Sequence, residues 1–255
     1  MKLGRHVFGV AAMGFGVIAL FGHDFMIWQQ LSTLWSTPQG TVLGYLVAAA
    51  EILGGAAIQF RRSAGYAALL LALVYLFFAC RWIPQIVAAP GVYDHWGNFF
   101  EQFSLVVGGL LVYACTAPAA PLAAGIRNNG RLLYGLCVVS FTLEQLIYLS
   151  GTASLVPKWL PPGPMLWAVL TTIAMALAAV ALLTGRRALL AARLLTVMFL
   201  VFGVLIWLPR LILHPGNHVD WGANAQNLLL TGAAWIVADW LGGTSTPETT
   251  DAATH

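Results

Sequence analysis

Charge is what this sequence has least of. Only 8% of its 255 residues are Asp, Glu, Lys or Arg, about one third of the share a soluble domain needs to keep its surface wet. Most of the exterior must therefore face something other than water. With 60% hydrophobic residues and a mean hydropathy of +0.81, that surrounding is lipid. No basic patch with interleaved aromatics is present, which excludes nucleic acid as a partner. Cysteine is also scarce. Cys80, Cys115 and Cys137 fall at no metal or CxxC spacing. Depth puts Cys80 near the outer face and the other two in the inner half, beyond the roughly 7 Å between Cα atoms that a disulfide tolerates. No Ser/His/Asp, phosphate-loop or dinucleotide pattern occurs. His214 and His218 have helical ligand spacing, but Pro215-Gly216 between them forbids a helix. Transmembrane haem needs histidines on facing helices, and only His23 comes near such a place, so neither haem nor a metal is expected.

What is present is apolar sequence in long runs. A bilayer core of about 30 Å takes roughly 20 apolar residues per helix. Such runs predict eight spans, near 6–28, 41–60, 64–83, 98–117, 131–150, 164–184, 188–208 and 223–242. Turn chemistry separates them, among it Thr37-Pro38-Gln39-Gly40, Asn128-Asn129-Gly130 and Pro161-Pro162-Gly163-Pro164. Unbroken runs such as 67–79 exclude a β-barrel, which needs alternation. The N-terminus, with Lys2 and Arg5 ahead of Val7 to Leu20, mimics a signal peptide. No Ala-x-Ala site follows, and the segment recurs inside the chain, so it is expected to remain as a helix.

Basic residues set the expected orientation. Lys2, Arg5, Arg61, Arg62, Arg127, Arg131, Arg186, Arg187 and Arg193 fall on one side, against Arg81, Lys158 and Arg210 on the other. Both termini are thus expected in the cytoplasm, and the net charge of +3 serves topology rather than an acidic partner. Tryptophan leans the other way: Trp28, Trp35, Trp82, Trp96, Trp159, Trp167, Trp207 and Trp221 all fall toward the outer face, which suggests a packed aromatic layer there.

A shift of 125 residues lays Arg61-Arg62 on Arg186-Arg187, Trp82-x-Pro84 on Trp207-x-Pro209, Pro90-Gly91 on Pro215-Gly216 and Trp96-Gly97 on Trp221-Gly222. One further residue of offset lays Gly4-Arg5 on Gly130-Arg131, Gly9 on Gly135 and Phe15 on Phe141. Ordered Trp, Pro and Arg matches point to a duplicated four-helix unit, residues 1–120 and 126–242, with 243–255 as a disordered cytoplasmic tail. Four spans per unit make the copies parallel, two bundles side by side, linked through Pro118 to Gly130.

Ionisable residues within the membrane are costly and mark candidate sites. Glu51 falls near the midplane of the second span, on a face with Gly44, Ala48 and Gly55 that admits a neighbouring helix closely. It is a candidate for ligand binding or proton exchange. Asp24, Arg81 and Glu101 share a depth in the outer third, where Arg81 is expected to pair with at least one of the two acids. His95, Glu144, Lys158 and Arg210 are secondary candidates. The second half lacks the first half's set: Glu51 maps to Ala176 or Leu177, Arg81 to Ile206 and Glu101 to Gln226. The first half is therefore expected to carry function and the second to serve as scaffold.

The stretch Val156-Pro157-Lys158-Trp159-Leu160-Pro161, the segment Glu51-x-x-Gly54-Gly55 and the Trp–Pro ends of the third spans resemble the DoxX family of bacterial four-helix membrane proteins. Over about residues 3–242 the chain resembles a tandem fusion of two such units. The resemblance implies a multi-pass protein of the bacterial inner membrane and an accessory or anchoring subunit of a quinone- or thiol-linked redox system. It implies a redox enzyme as partner and a quinone as ligand, and it assigns no catalytic residue. A small-solute or proton-coupled transporter and a ligand-free assembly factor are the alternatives. No broken helices appear at matching mid-span positions, which counts against transport.

Overall fold

The computed structural model describes residues 3–22 and 37–244, in which every regular element is a helix. His23, Asp24, Trp28, Trp35 and the chain beyond 244 lie outside the described residues. The helices are α1 (Leu3–Gly22), α2 (Pro38–Ala57), α3 (Ala64–Arg81), α4 (Ile83–Ala88), α5 (Tyr93–Thr116), α6 (Pro121–Ile147), α7 (Leu149–Leu155), α8 (Pro164–Thr184), α9 (Ala188–Phe202), α10 (Leu208–Leu213) and α11 (His218–Thr244). A single π-helical turn, Gly203–Trp207, joins α9 to α10.

Seven helical segments among the described residues are long and apolar enough to cross a membrane: Leu3–Phe21, Pro38–Ala57, Ala64–Ala88, Tyr93–Thr116, Pro121–Ile147, Pro164–Thr184 and Ala188–Leu213. The chain is thus an all-α, multi-pass membrane protein. The expected span 223–242 lies within α11, a helix of 27 residues, about 40 Å at 1.5 Å per residue. Its sequence is more polar than the seven because it is enclosed by protein. Leu229, Thr231, Ala233, Ala234, Ile236 and Val237 are wholly buried, so α11 has little surface to match to lipid.

Prolines set where three of the long helices begin. Pro38, Pro121 and Pro164 occupy the first helical turn, where a missing N–H costs nothing. Thr37 adds a side-chain cap, its Oγ1 accepting from the Gly40 N–H at 3.0 Å. Helix α6 starts ten residues earlier than expected. Asn128-Asn129-Gly130 reads as a turn, yet it is helical. The Asn129 amide donates back to the Gly125 carbonyl at 3.0 Å. Arg127 donates to the Ala114 and Pro118 carbonyls, both at 3.1 Å. The expected link Pro118 to Gly130 is therefore mostly the first turns of α6.

Arginines at this end satisfy helix C-terminal carbonyls, which carry the negative end of the helix dipole. Besides Arg127 on α5, Arg5 donates to the Gln59 carbonyl just past α2 at 3.5 Å. Arg131 donates to the Leu182 and Leu183 carbonyls at the end of α8.

The packing differs from two bundles side by side. Helix α1 lies along α2 and α11, α6 lies along α8 and α5, and α5 meets α11 between them. The first long helix of each half thus packs on the last helix of the other half. Contact at the ends is close: the Gly4 N–H donates to Asp239 at 3.2 Å. Lipid supplies no hydrophobic drive between helices, so close approach of small residues has to hold them together.

Candidate functional site

Buried polarity gathers in two main places, one within the first half and one where the halves meet. In the first half Glu51 of α2 is fully buried and shares its face with Gly44, Ala48 and Gly55, as the small-residue pattern implies. Helix α1 closes over it at Gly16, where a Cβ would stand 2.6 Å from the Ala48 carbonyl oxygen and 3.2 Å from the Glu51 Cβ. The polar group facing the carboxyl is the Tyr75 hydroxyl of α3. The two do not reach hydrogen-bond geometry, and both Glu51 oxygens and the Tyr75 hydroxyl remain unpartnered. Phe8 packs edge-on to Tyr75 with ring centroids 5.8 Å apart. Tyr75 was hidden in the sequence by the apolar run around it; a lone phenol amid 67–79 was the only signal.

The second place is built where α5 meets α6. Asp94 and Glu101 stand two turns apart on α5. Glu144 reaches from α6 onto the α5 backbone, where a Cβ at Gly97 would overlap its carboxyl. The helices are tied there by the Tyr93 hydroxyl donating to Ser140 Oγ at 3.1 Å and the Asp94 N–H donating to the Tyr148 hydroxyl at 3.2 Å. Glu144 thereby comes within electrostatic range of Glu101 and Asp94, and Glu101 faces the Gln226 amide of α11. These three carboxyl side chains line one part of a cavity of about 840 Å³. Its remaining walls are largely apolar and come from α6, α8, α9 and the π turn, with Ala174, Met175, Met198 and Leu205 among them.

The polar side chains in those walls have mostly committed their donors to backbone carbonyls. Thr171 donates to Trp167 at 2.9 Å, Thr152 to Tyr148 at 3.3 Å, the Asn227 amide to Phe199 at 3.1 Å and the Trp167 indole to Pro161 at 2.9 Å. Gln145 Oε1 accepts from Thr172 at 3.1 Å. Among the described residues, no Lys, Arg or His lines the cavity.

The other expected residues scatter. Arg81 is half-buried, its Nε has no partner, and it forms no ion pair with Glu101. The expected pairing with Asp24 lies outside the described residues. His95 stacks on Trp82, ring centroids 5.9 Å apart. Lys158 is exposed in the loop before α8. Arg210 has found a partner that sequence reasoning missed. Its Nε donates at 3.0 Å to Asp220, which is 2% exposed. Asn217 donates to the second Asp220 oxygen at 3.0 Å, and the guanidinium lies 5.5 Å from the Trp207 ring centroid. The aromatic layer expected at this end is partly a set of turn locks: the indoles of Trp96 and Trp221 each donate to a proline carbonyl six residues earlier, at 3.1 and 2.9 Å. Trp167 and Trp207 line the cavity. The expectation that the first half alone would carry a site is therefore revised. The cavity is walled mainly by the second half, with two acids supplied by α5.

Comparison with family models, with curated proteins and with solved structures finds no match to this chain.

Proposed function

We propose that this chain is a membrane-embedded accessory subunit that holds one small amphipathic molecule, in the manner the DoxX resemblance implies for a bacterial redox system. The observation that carries the reading is the cavity: apolar walls within the membrane-spanning helices, closed at one part by Glu101 and Glu144. A quinone is the neutral ligand such a space fits, with an apolar tail along α8 and α9 and its ring oxygens toward the polar groups. In this reading the protein lies in the inner membrane with both termini in the cytoplasm. It has eight spans, the last being α11, and it arose by duplication.

Several local features support the duplication. Helices α4 and α10 have the same bounds after a shift of 125 residues. The Trp96–Pro90 and Trp221–Pro215 hydrogen bonds coincide under the same shift. Arg5 and Arg131 each reach from the first helix of a half to the end of the second. Every principal helix pairing of one half has its counterpart in the other.

The test is saturable binding of decylubiquinone to the purified full chain, read by quenching of tryptophan, with Ala174→Phe as the variant. Ala174 lines the cavity, so a phenyl ring there narrows it without entering the packed core. Binding to the parent and loss in Ala174→Phe is the expected result. Equal binding by both proteins would place the ligand elsewhere and end this reading.

A second reading, a small-solute or proton-coupled transporter, is favoured by one observation. Both third spans are interrupted at matching places, by the break at Trp82 and by the π turn ending at Trp207. Matched interruptions of this kind mark transport sites, although here they lie in the outer third of the spans rather than mid-span.

A further inference from the structure

We propose that the cavity selects its occupant by head-group charge and takes a lipophilic cation, an apolar body carrying a positively charged nitrogen or onium centre, rather than an anion. The proposal rests on the reading that the cavity is a ligand site, but not on a quinone being that ligand.

The argument is one of charge complementarity within a space of about 840 Å³. The titratable carboxyls lining it are Asp94, Glu101 and Glu144, and among the described residues no basic side chain lines it to answer them. Arg81, the nearest candidate by expected depth, forms no ion pair with Glu101. Arg210 is already engaged with Asp220 at 3.0 Å. The described residues leave these three carboxyls without a basic partner, and a positive centre supplied from outside gives them one. Low-dielectric walls lengthen the reach of that attraction, so the preference extends to a ligand that touches neither carboxyl directly.

Hydrogen bonding points the same way. Thr152, Thr171, Trp167 and Asn227 have spent their donors on backbone carbonyls. An anionic head would find few free donors here, whereas the carboxyl oxygens of Glu101 and Glu144 are acceptors in place. A flexible apolar wall that includes Met175 and Met198 suits a bulky, variable body, since thioether side chains repack readily.

The experiment uses two ions of nearly the same size and shape but opposite charge, tetraphenylphosphonium and tetraphenylborate. Their saturable, one-to-one binding to the full chain is measured in nanodiscs of zwitterionic lipid, with decylubiquinone as the neutral comparator. The phosphonium is expected to bind at least about ten-fold more tightly than the borate, the scale of one close charge pair. Glu101→Gln/Glu144→Gln should remove most of that preference, bringing the phosphonium and the borate to within about two-fold of each other. Ala174→Phe should weaken binding of all three, and borate binding retained by the double Gln variant shows that the variant still folds. If decylubiquinone binds but the two ions bind alike, or the borate binds better, charge selection is wrong and the ligand-site reading stands. If no probe binds saturably and the cavity carries only lipid acyl chains, both readings fall.

Discussion

At Gly16 the first half lets α1 settle onto α2; the residue 126 positions later is Thr142 on α6. The two neighbourhoods differ accordingly. Around Gly16 the helices meet so closely that Glu51 is sealed, with its oxygens and the Tyr75 hydroxyl unpartnered. Around Thr142 stand Phe141, Glu144 and Gln145, all of which line an open cavity. The same order of helices thus holds buried polarity shut in one half and open in the other. One small residue at a crossing decides whether a polar group becomes part of the core or part of a site. A carboxyl on a tight crossing is locked in place, whereas a carboxyl beside a looser one stays reachable.

The strongest way to break this comparison is Gly16→Thr, which gives the first half the second half's residue. The new Cβ would meet the Ala48 backbone, which cannot step aside as a flexible side chain would. A loss of about 3 kcal/mol is expected from overpacking, measured as a fall in thermal midpoint of the solubilised protein. An unchanged midpoint would mean that the α1–α2 approach is not what closes the first half.

Next in size is the ion pair between α10 and α11. Arg210→Met removes one partner of Asp220, which is 2% exposed, and should cost about 2 kcal/mol, less than for a fully buried pair because the Arg210 side chain is 44% exposed and Asn217 and His214 remain beside the carboxylate. The corresponding residue of the first half is Gln85, whose Oε1 is unpartnered. Gln85→Met should therefore shift stability by no more than about 0.5 kcal/mol. Equal losses in the two variants would show that Arg210 acts through its packing on Trp207 and not through Asp220.

The last effect expected has the opposite sign. Glu51→Met replaces an unpartnered buried carboxyl with an apolar chain of similar length and should stabilise the protein by about 1–2 kcal/mol. A gain in thermal midpoint together with lost support of a partner's redox activity would mark Glu51 as kept for function. A drop in midpoint would show that the carboxyl has a partner in the folded protein.

Much of the helix layout could be read directly from the chain, because lipid forces apolar runs and the turns between them carry Pro, Gly and Arg. Seven of the expected spans fall on long apolar helices, and the burial of Glu51 followed from its small-residue face. The eighth run was legible as a helix, but its polar residues made sense only once α11 was found enclosed by its neighbours. The start of α6 was not legible, since Asn129 satisfies its helix through a side-chain bond that a turn reading of Asn-Asn-Gly does not anticipate. The cavity had no linear signature at all: its volume exists between helices, and its acids come from residues 50 apart on the chain, Asp94 and Glu144. Arg210 was singled out, but its partner Asp220 lies beyond the Pro-Gly turn and gained its role only through the fold.

The interlocked packing sets a schedule for making the protein. Helix α1 rests on α11, and Gly4 bonds Asp239, 235 residues away. At ribosomal rates of about 5–20 residues per second, the face of α1 that will meet α11 waits roughly 12–47 s after its synthesis. During that time it must sit against lipid, the insertion machinery or a chaperone. Neither half has its full set of neighbours until the last helix arrives, so assembly finishes only at the end of translation. The small-residue faces that make the finished protein tight are, for that interval, open seams along which a stray helix can dock.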